Sequence, residues 1–292
     1  KDAQTYIPEF LENTIEKNLN CLSFIKTPNN QLPLFNGASE NFVNHLDEHL
    51  KTQTKRKKTE NIIGGLFKLK QKNHVVFFDV GKPPRKSFSK CYQAGPLSFE
   101  YFFDGIKIIS NSGFGDNISS KAELLSRFTA CQSTLTLNDT SVNKFERNKL
   151  INRVFGNSIK NTFKTYNLNI NNEKNFISCS AEHNGYEKNF GCIHKREIFL
   201  DKENNYFKGS DHIFKKKDGI PIRYIFRFHI NPELTVVKTI GGNSALIQLS
   251  KNRSLVFTIN DESLELERSI FFGKKKILDN TCITISGNLV NK

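Results

Sequence analysis

From Leu66 onward the sequence is a series of short apolar runs broken by turn residues, with no long helical period between them. This feature limits the possible folds more than any other. Leu66-Phe67-Lys68-Leu69-Lys70 and Val75-Val76-Phe77-Phe78 come first. Ser98-Phe99-Glu100-Tyr101-Phe102-Phe103 and Ile106-Lys107-Ile108-Ile109 follow, joined by Asp104-Gly105. Asp-Gly between two apolar runs marks a tight hairpin, because both central residues of a type I′ turn need positive φ. Further runs occupy Ser133–Leu137, Phe176–Ala181, Arg196–Leu200, Arg223–Ile230, Ala245–Leu249, Leu255–Ile259 and Cys282–Ser286. Serial strands without crossover helices give an antiparallel sandwich and not a parallel α/β fold. The 26 Phe residues suit the space between packed sheets.

The first 50 residues have a different texture. Phe10, Leu11, Ile15, Leu19 and Leu22 recur at the spacing of one helix face, and Thr27-Pro28-Asn29-Asn30 ends that helix. A second short helix is expected over Glu40–Leu50, with Ser39 as its cap. The basic run Lys55-Arg56-Lys57-Lys58 then reads as a linker. The chain divides accordingly into a helical part, 1–58, and a β-sandwich, 59–292. No initiator Met opens the sequence, and Lys1–Phe10 lack the apolar stretch of a signal peptide, so it reads as a piece of a longer protein. No apolar run is long enough to span a membrane as a helix.

The formal net charge of +14 suits an anionic partner, although most lysines are scattered as on an ordinary solvated surface. Nucleic acid is disfavoured, since no RRM, KH or zinc-finger signature accompanies the charge and the aromatics fall in core-like alternation. The six cysteines form no CxxC pair and read as free thiols packed like small apolar groups. His45 and His49 stand four apart without a third ligand, and His183, His194 and His229 fit no compact metal spacing. Those three are expected to be held by hydrogen bonds within the fold. Neither a metal nor a cofactor is expected. There is no GxGxxG, Walker loop, HExxH or GxSxG, and Gly113-Phe114-Gly115 is a loop.

What remains is an ordered set of short segments. They are Leu34-Phe35-Asn36-Gly37, Gly95-Pro96-Leu97-Ser98-Phe99-Glu100, Ile109-Ser110-Asn111-Ser112-Gly113 and Arg127-Phe128-Thr129-Ala130-Cys131-Gln132-Ser133-Thr134-Leu135. His183-Asn184-Gly185-Tyr186, Phe190-Gly191-Cys192-Ile193-His194-Lys195-Arg196 and Arg227-Phe228-His229-Ile230-Asn231-Pro232 complete the order. Across residues 30–290 the chain resembles the heparinase II/III-like family, in the form found in bacterial envelope-polysaccharide loci. The resemblance implies an (α/α) toroid followed by an antiparallel β-sandwich, so that residues 1–50 would be the last toroid helices. It also implies β-elimination on uronic-acid-containing polysaccharides, and a place in the periplasm or cell envelope.

Family sandwiches often carry His-x-His before the Ser-Phe-Glu strand, an Asp after the hairpin and a His before the Ser-Thr segment. Here Cys91-Tyr92-Gln93, Asn111 and Gln132 stand at those positions. Amides are poor zinc ligands but can hydrogen-bond one another in the same space, so the resemblance implies the local architecture without its metal. Cys91 and Tyr92 become the catalytic candidates, and Gln93, Asn111, Arg127 and Gln132 the substrate-binding ones. Arg127 suits a uronate carboxylate or a structural salt bridge. Two readings stay open: a lyase acting on an acidic polysaccharide, and a non-catalytic acidic-carbohydrate-binding or scaffold protein on the same fold.

Overall fold

The computed structural model describes residues 8–40, 61–216, 221–260 and 262–289. The expected helix over Glu40–Leu50, His45, His49 and the basic run 55–58 fall on residues 41–60 and lie outside the described residues, apart from Glu40 itself, which is not helical. Helix α1 spans Glu9–Ile25 and ends at the Thr27-Pro28 turn, as its periodicity predicts.

Strands then follow in series. They are β1 (Ile62–Ile63), β2 (Leu66–Gln71), β3 (His74–Asp79), β4 (Phe99–Phe103), β5 (Ile106–Ser110), β6 (Leu135–Leu137), β7 (Thr165–Asn172) and β8 (Phe176–His183). After these come β9 (Cys192–Asp201), β10 (Tyr206–Lys215), β11 (Ile222–Ile230), β12 (Thr235–Lys238), β13 (Ser244–Ser250), β14 (Arg253–Thr258), β15 (Glu265–Phe272) and β16 (Ile277–Leu289). A nine-stranded sheet runs β1-β2-β3-β4-β5-β11-β16-β15, with β6 also on β11. A four-stranded meander runs β10-β9-β8-β7, and a three-stranded one β12-β13-β14. Every strand ladder is antiparallel. The β4–β5 turn has positive φ at both Asp104 (49°) and Gly105 (80°), as its Asp-Gly sequence requires.

The smaller sheets pack on one face of the large one. Phe99 on β4 meets Phe207 on β10, Tyr101 stacks on Phe207 at 4.5 Å, and Phe228 on β11 meets Phe257 on β14. On β2, Phe67 and Leu69 enter this core while Lys68 and Lys70 leave it, the period of two that a pleated strand imposes. Strand β3 is buried along its whole length. Val76 and Phe78 face the main core, while Val75 and Phe77 pack with Phe102 and Phe35 in a second cluster. A strand covered on both faces reads as a continuous apolar run, which explains Val75-Val76-Phe77-Phe78.

Three short helices interrupt the strands: α2 (Ser120–Ser126), α3 (Lys149–Phe155) and α4 (Glu187–Phe190). The sequence reading confined helices mainly to the first 50 residues and missed these. Two are set by local capping and not by an apolar face. Ser119 Oγ accepts from Ala122 N–H, and Asn148 Oδ1 accepts from Leu150 and Ile151 N–H. No helix among the described residues is long and apolar enough to cross a membrane.

Candidate functional site

The 34–37, 95–100, 109–113 and 127–135 segments come together around β4. Glu100 alternates inward from Phe99 and is fully buried. Its Oε1 accepts from Ser110 Oγ (3.1 Å) and Asn111 N–H (3.2 Å), and its Oε2 accepts from Leu34 N–H (3.1 Å). Lys107, across the hairpin, supplies the opposite charge at 3.4 Å. One carboxylate therefore ties both strands of the hairpin to the 34–37 segment, each of its oxygens engaged as a buried charge requires. That segment also needs Gly37: its φ is +91°, and a Cβ there would sit 2.6 Å from Cys91 Cβ.

The three amides lie around this anchor. Gln93 Oε1 accepts from Gly37 N–H, and its Nε2 donates to Gly113 O (2.9 Å) and Ser126 O (3.1 Å). Gln132 Nε2 donates to the same Ser126 carbonyl at 2.9 Å. Asn111 Nδ2 donates to Leu34 O, and its Oδ1 accepts from Ser133 N–H, next to Gln132. The amides thus share a neighbourhood, but they bind backbone and not one another. The buried C-terminal end of α2 supplies the reason, because its last carbonyls have no helical partner and must be met by side chains. Two N–H donors converging on Ser126 O place hydrogens where a divalent cation needs lone pairs, so these residues do not fit the metal that the family resemblance brings to mind.

Arg127 is fully buried, and among the described residues it forms no ion pair with a carboxylate. Nε donates to Tyr92 O (2.8 Å), the two terminal nitrogens donate to Asn157 O (2.7 Å) and Ser89 O (2.6 Å), and the guanidinium lies over Phe145. Burial lowers its pKa to about 10, still charged at neutral pH. Gln93, Asn111 and Gln132 are equally buried. The donors of all four side chains are turned onto backbone carbonyls of the surrounding loops. The catalytic candidates separate: Cys91 is exposed, whereas Tyr92 is buried. Burial, and then the nearby Asp79 charge, push the Tyr92 phenol well up, which disfavours the phenolate a base would need.

One feature is absent from the sequence analysis, and a second gives two expected histidine hydrogen bonds their partners. Asp79, at the end of β3, is a buried carboxyl pushed up to about 7 by desolvation. The second is a chain of groups between the sheets. Gly185 N–H donates to His183 Nδ1 (3.1 Å), His183 Nε2 meets His194 Nδ1 (3.2 Å), and His194 Nε2 meets Asp211 Oδ1 (2.6 Å). The direction of donation fixes both rings as neutral Nε2–H tautomers. Burial holds the pKa of both rings below the usual histidine value. Arg196 completes the chain, pairing both oxygens of Asp211 from β9 and donating to Leu97 O and Ser133 O in the loops that lead into β4 and β6, each at 2.8 Å. Burial raises Asp211, but the Arg196 charge and His194 outweigh it and bring it down to about 2. The signal was a polar residue at inward-facing positions of strand sequences, as at Glu100, His194 and Arg196, which calls for a buried partner.

The sequence model described as heparinase II/III-like, C-terminal, matches residues 62–289. The chain belongs to the heparinase II/III-like family. Among solved structures it is similar to the heparan sulfate lyase HepC from Pedobacter heparinus, at 16% identity and a TM-score of 0.72 over 98% of this chain and 46% of that one. The heparinase III BT4657 gene product gives 16% identity and a TM-score of 0.70 over 98% and 45% of the two chains. A further heparinase III gives 14% and 0.68 over 97% and 47%. This heparinase II/III-like chain spans slightly under half the length of each. No curated protein matches the sequence.

Proposed function

We propose that this chain is the sandwich-bearing part of a polysaccharide lyase-type protein that acts by β-elimination on a uronic-acid-containing acidic polysaccharide. Family membership over residues 62–289 carries the reading. The net charge of +14 supports an anionic partner. In β-elimination a base removes the C5 proton beside the uronate carboxylate, and an acid protonates the departing glycosidic oxygen. The carboxylate charge must be neutralised for that proton to leave. On this reading residues 1–58 belong to the helical part, which contributes catalytic groups. Cys91 lies at the rim beside the sandwich, Tyr92, Gln93, Asn111, Arg127 and Gln132 stiffen the loops behind it, and the protein works in the periplasm or cell envelope.

A second reading is a non-catalytic acidic-carbohydrate-binding or scaffold protein. It is favoured by Cys91-Tyr92-Gln93 standing where relatives often carry His-x-His, and by the engagement of Gln93 with backbone. The test is incubation with a panel of uronate polymers, following the ultraviolet absorbance of the unsaturated uronate product alongside direct binding. Rising absorbance supports the lyase. Salt-sensitive binding of acidic over neutral glycans without absorbance supports the second reading. Equal binding of neutral and acidic glycans, with no product, would reject both.

A further inference from the structure

A cleft of about 480 Å³ lies between the end of α1 and the β2–β3 hairpin. One wall is the outer face of β2. Because Phe67 and Leu69 face the core, Lys68 and Lys70 share the opposite face, and Lys72 in the following turn lines the same cleft. Same-face residues two apart on a strand are spaced by about 7 Å, so these side chains form a ladder of positive charge. Lys26 and Thr27 line the facing wall. Among the described residues the one carboxylate lining the cleft, Asp104, is paired with Arg253.

Asp201 lies within electrostatic reach of Lys72 at the far end of this ladder. Among the described residues no carboxylate pairs with Lys68, Lys70 or Lys72. Lys68 Nζ donates to Phe24 O (2.5 Å) and Lys26 O (3.0 Å) and lies over the Phe77 ring. It is therefore held at the negative end of α1, where a cation is favoured. Burial and then the charge of Lys70 bring its pKa down to about 8. Like charges gathered in a concave site at an energetic cost are relieved when an anion enters. Lys72 Nζ donates to Lys202 O, which fixes the far end of the ladder, and Lys70 is exposed toward the opening.

We propose that this cleft is an anion subsite for the acidic sugar units of a glycan, separate from the Gln93–Gln132 loops. Strand β4 runs from those loops at its start to the Asp104-Gly105 turn at its end, so the two places are one strand length apart. The subsite would hold a polymer by its carboxylates or sulfates outside any reacting position. This rests on the acidic-polysaccharide reading of the protein.

The test compares the K70E/K72E variant with K188E/K208E, which makes the same change of net charge at exposed positions that do not line the cleft. Probes are an oligogalacturonate, which carries only carboxylates, and dextran sulfate, which carries only sulfates. At low ionic strength K70E/K72E should weaken binding of at least one probe by roughly tenfold, with a shallower salt dependence, while the control changes little. Equal losses in both variants, or no loss in K70E/K72E, would overturn the subsite. Dextran sulfate binding that is lost only in K70E/K72E, with no oligogalacturonate binding, keeps the subsite and removes the uronate reading. Binding of neither probe by the unaltered protein removes both. Thermal melting checks folding, and K70Q/K72Q replaces the reversal if K70E/K72E melts early.

Discussion

Asp79 offers a quantitative test of the electrostatics beside the candidate site. Its side chain ends β3, accepts a 3.0 Å hydrogen bond from Gly81 N–H and is buried. Desolvation raises its pKa from 3.8 to about 7, opposed only in part by that hydrogen bond. The folded state therefore holds the proton more tightly than the unfolded state. This gives a stabilising contribution that is complete below the unfolded pKa and is lost as pH rises through about 7. At 1.36 kcal/mol per pH unit, the rise from 3.8 to about 7 corresponds to a cost of up to about 4 kcal/mol for the ionised form. Asp79→Asn keeps an oxygen for Gly81 and removes the charge. Urea unfolding across pH should show the variant more stable than the parent at about pH 8, by one to a few kcal/mol, with the difference shrinking to nothing near pH 4. A difference that does not vary with pH, or a variant less stable at high pH, would refute the reasoning.

Arg127→Met should cost about 3 kcal/mol or more in the same assay, because the Tyr92, Asn157 and Ser89 carbonyls lose their donors together. Arg127→Lys should recover only part of it, since one ammonium lacks the planar fork. His229 gives the opposite pH sign to Asp79. Its ring meets Ala130 O and Ser269 Oγ, and burial lowers its pKa from 6.5 to about 4. The stability it contributes is present above 6.5 and lost as pH falls toward 4, so His229→Gln should flatten the acid slope of stability by about one proton in that window. An unchanged slope would contradict this assignment.

The strands that could be read from sequence are those that bury a face. Phe99–Phe103 and Ile106–Ser110 declare themselves by apolar runs on either side of a turn that only Asp-Gly makes easily. Strands β7, β10 and β15 passed unnoticed because much of their surface is exposed: Thr-Tyr-Asn-Leu-Asn-Ile-Asn-Asn in β7 carries almost no apolar signal. Those segments are extended because a neighbouring strand offers a ladder, not because their side chains demand it. The site divides in the same way. The hairpin brings Gln93 and Asn111 back toward each other, which chain geometry foretells. Their real partners are carbonyls at Gly113, Ser126 and Leu34, and backbone groups leave no mark in a sequence. For Arg127 the residue type was informative and the partner was not, since a guanidinium accommodates carbonyls as readily as a carboxylate.

The place of β11 beside β5 has a consequence in time. Ile109 and Ile230 pair across a separation of roughly 120 residues, so the large sheet cannot close until most of the chain is available. The β7–β10 meander has only local connections and can form early. Between those moments the outer edge of β5 carries unpaired peptide groups beside apolar Ile108 and Ile109. A partly synthesised chain is then open to pairing with the wrong strand or with another copy. Rapid production of this protein will favour aggregates of such half-closed sheets, and slower synthesis or a chaperone that shields a bare strand edge should raise the yield of the folded form.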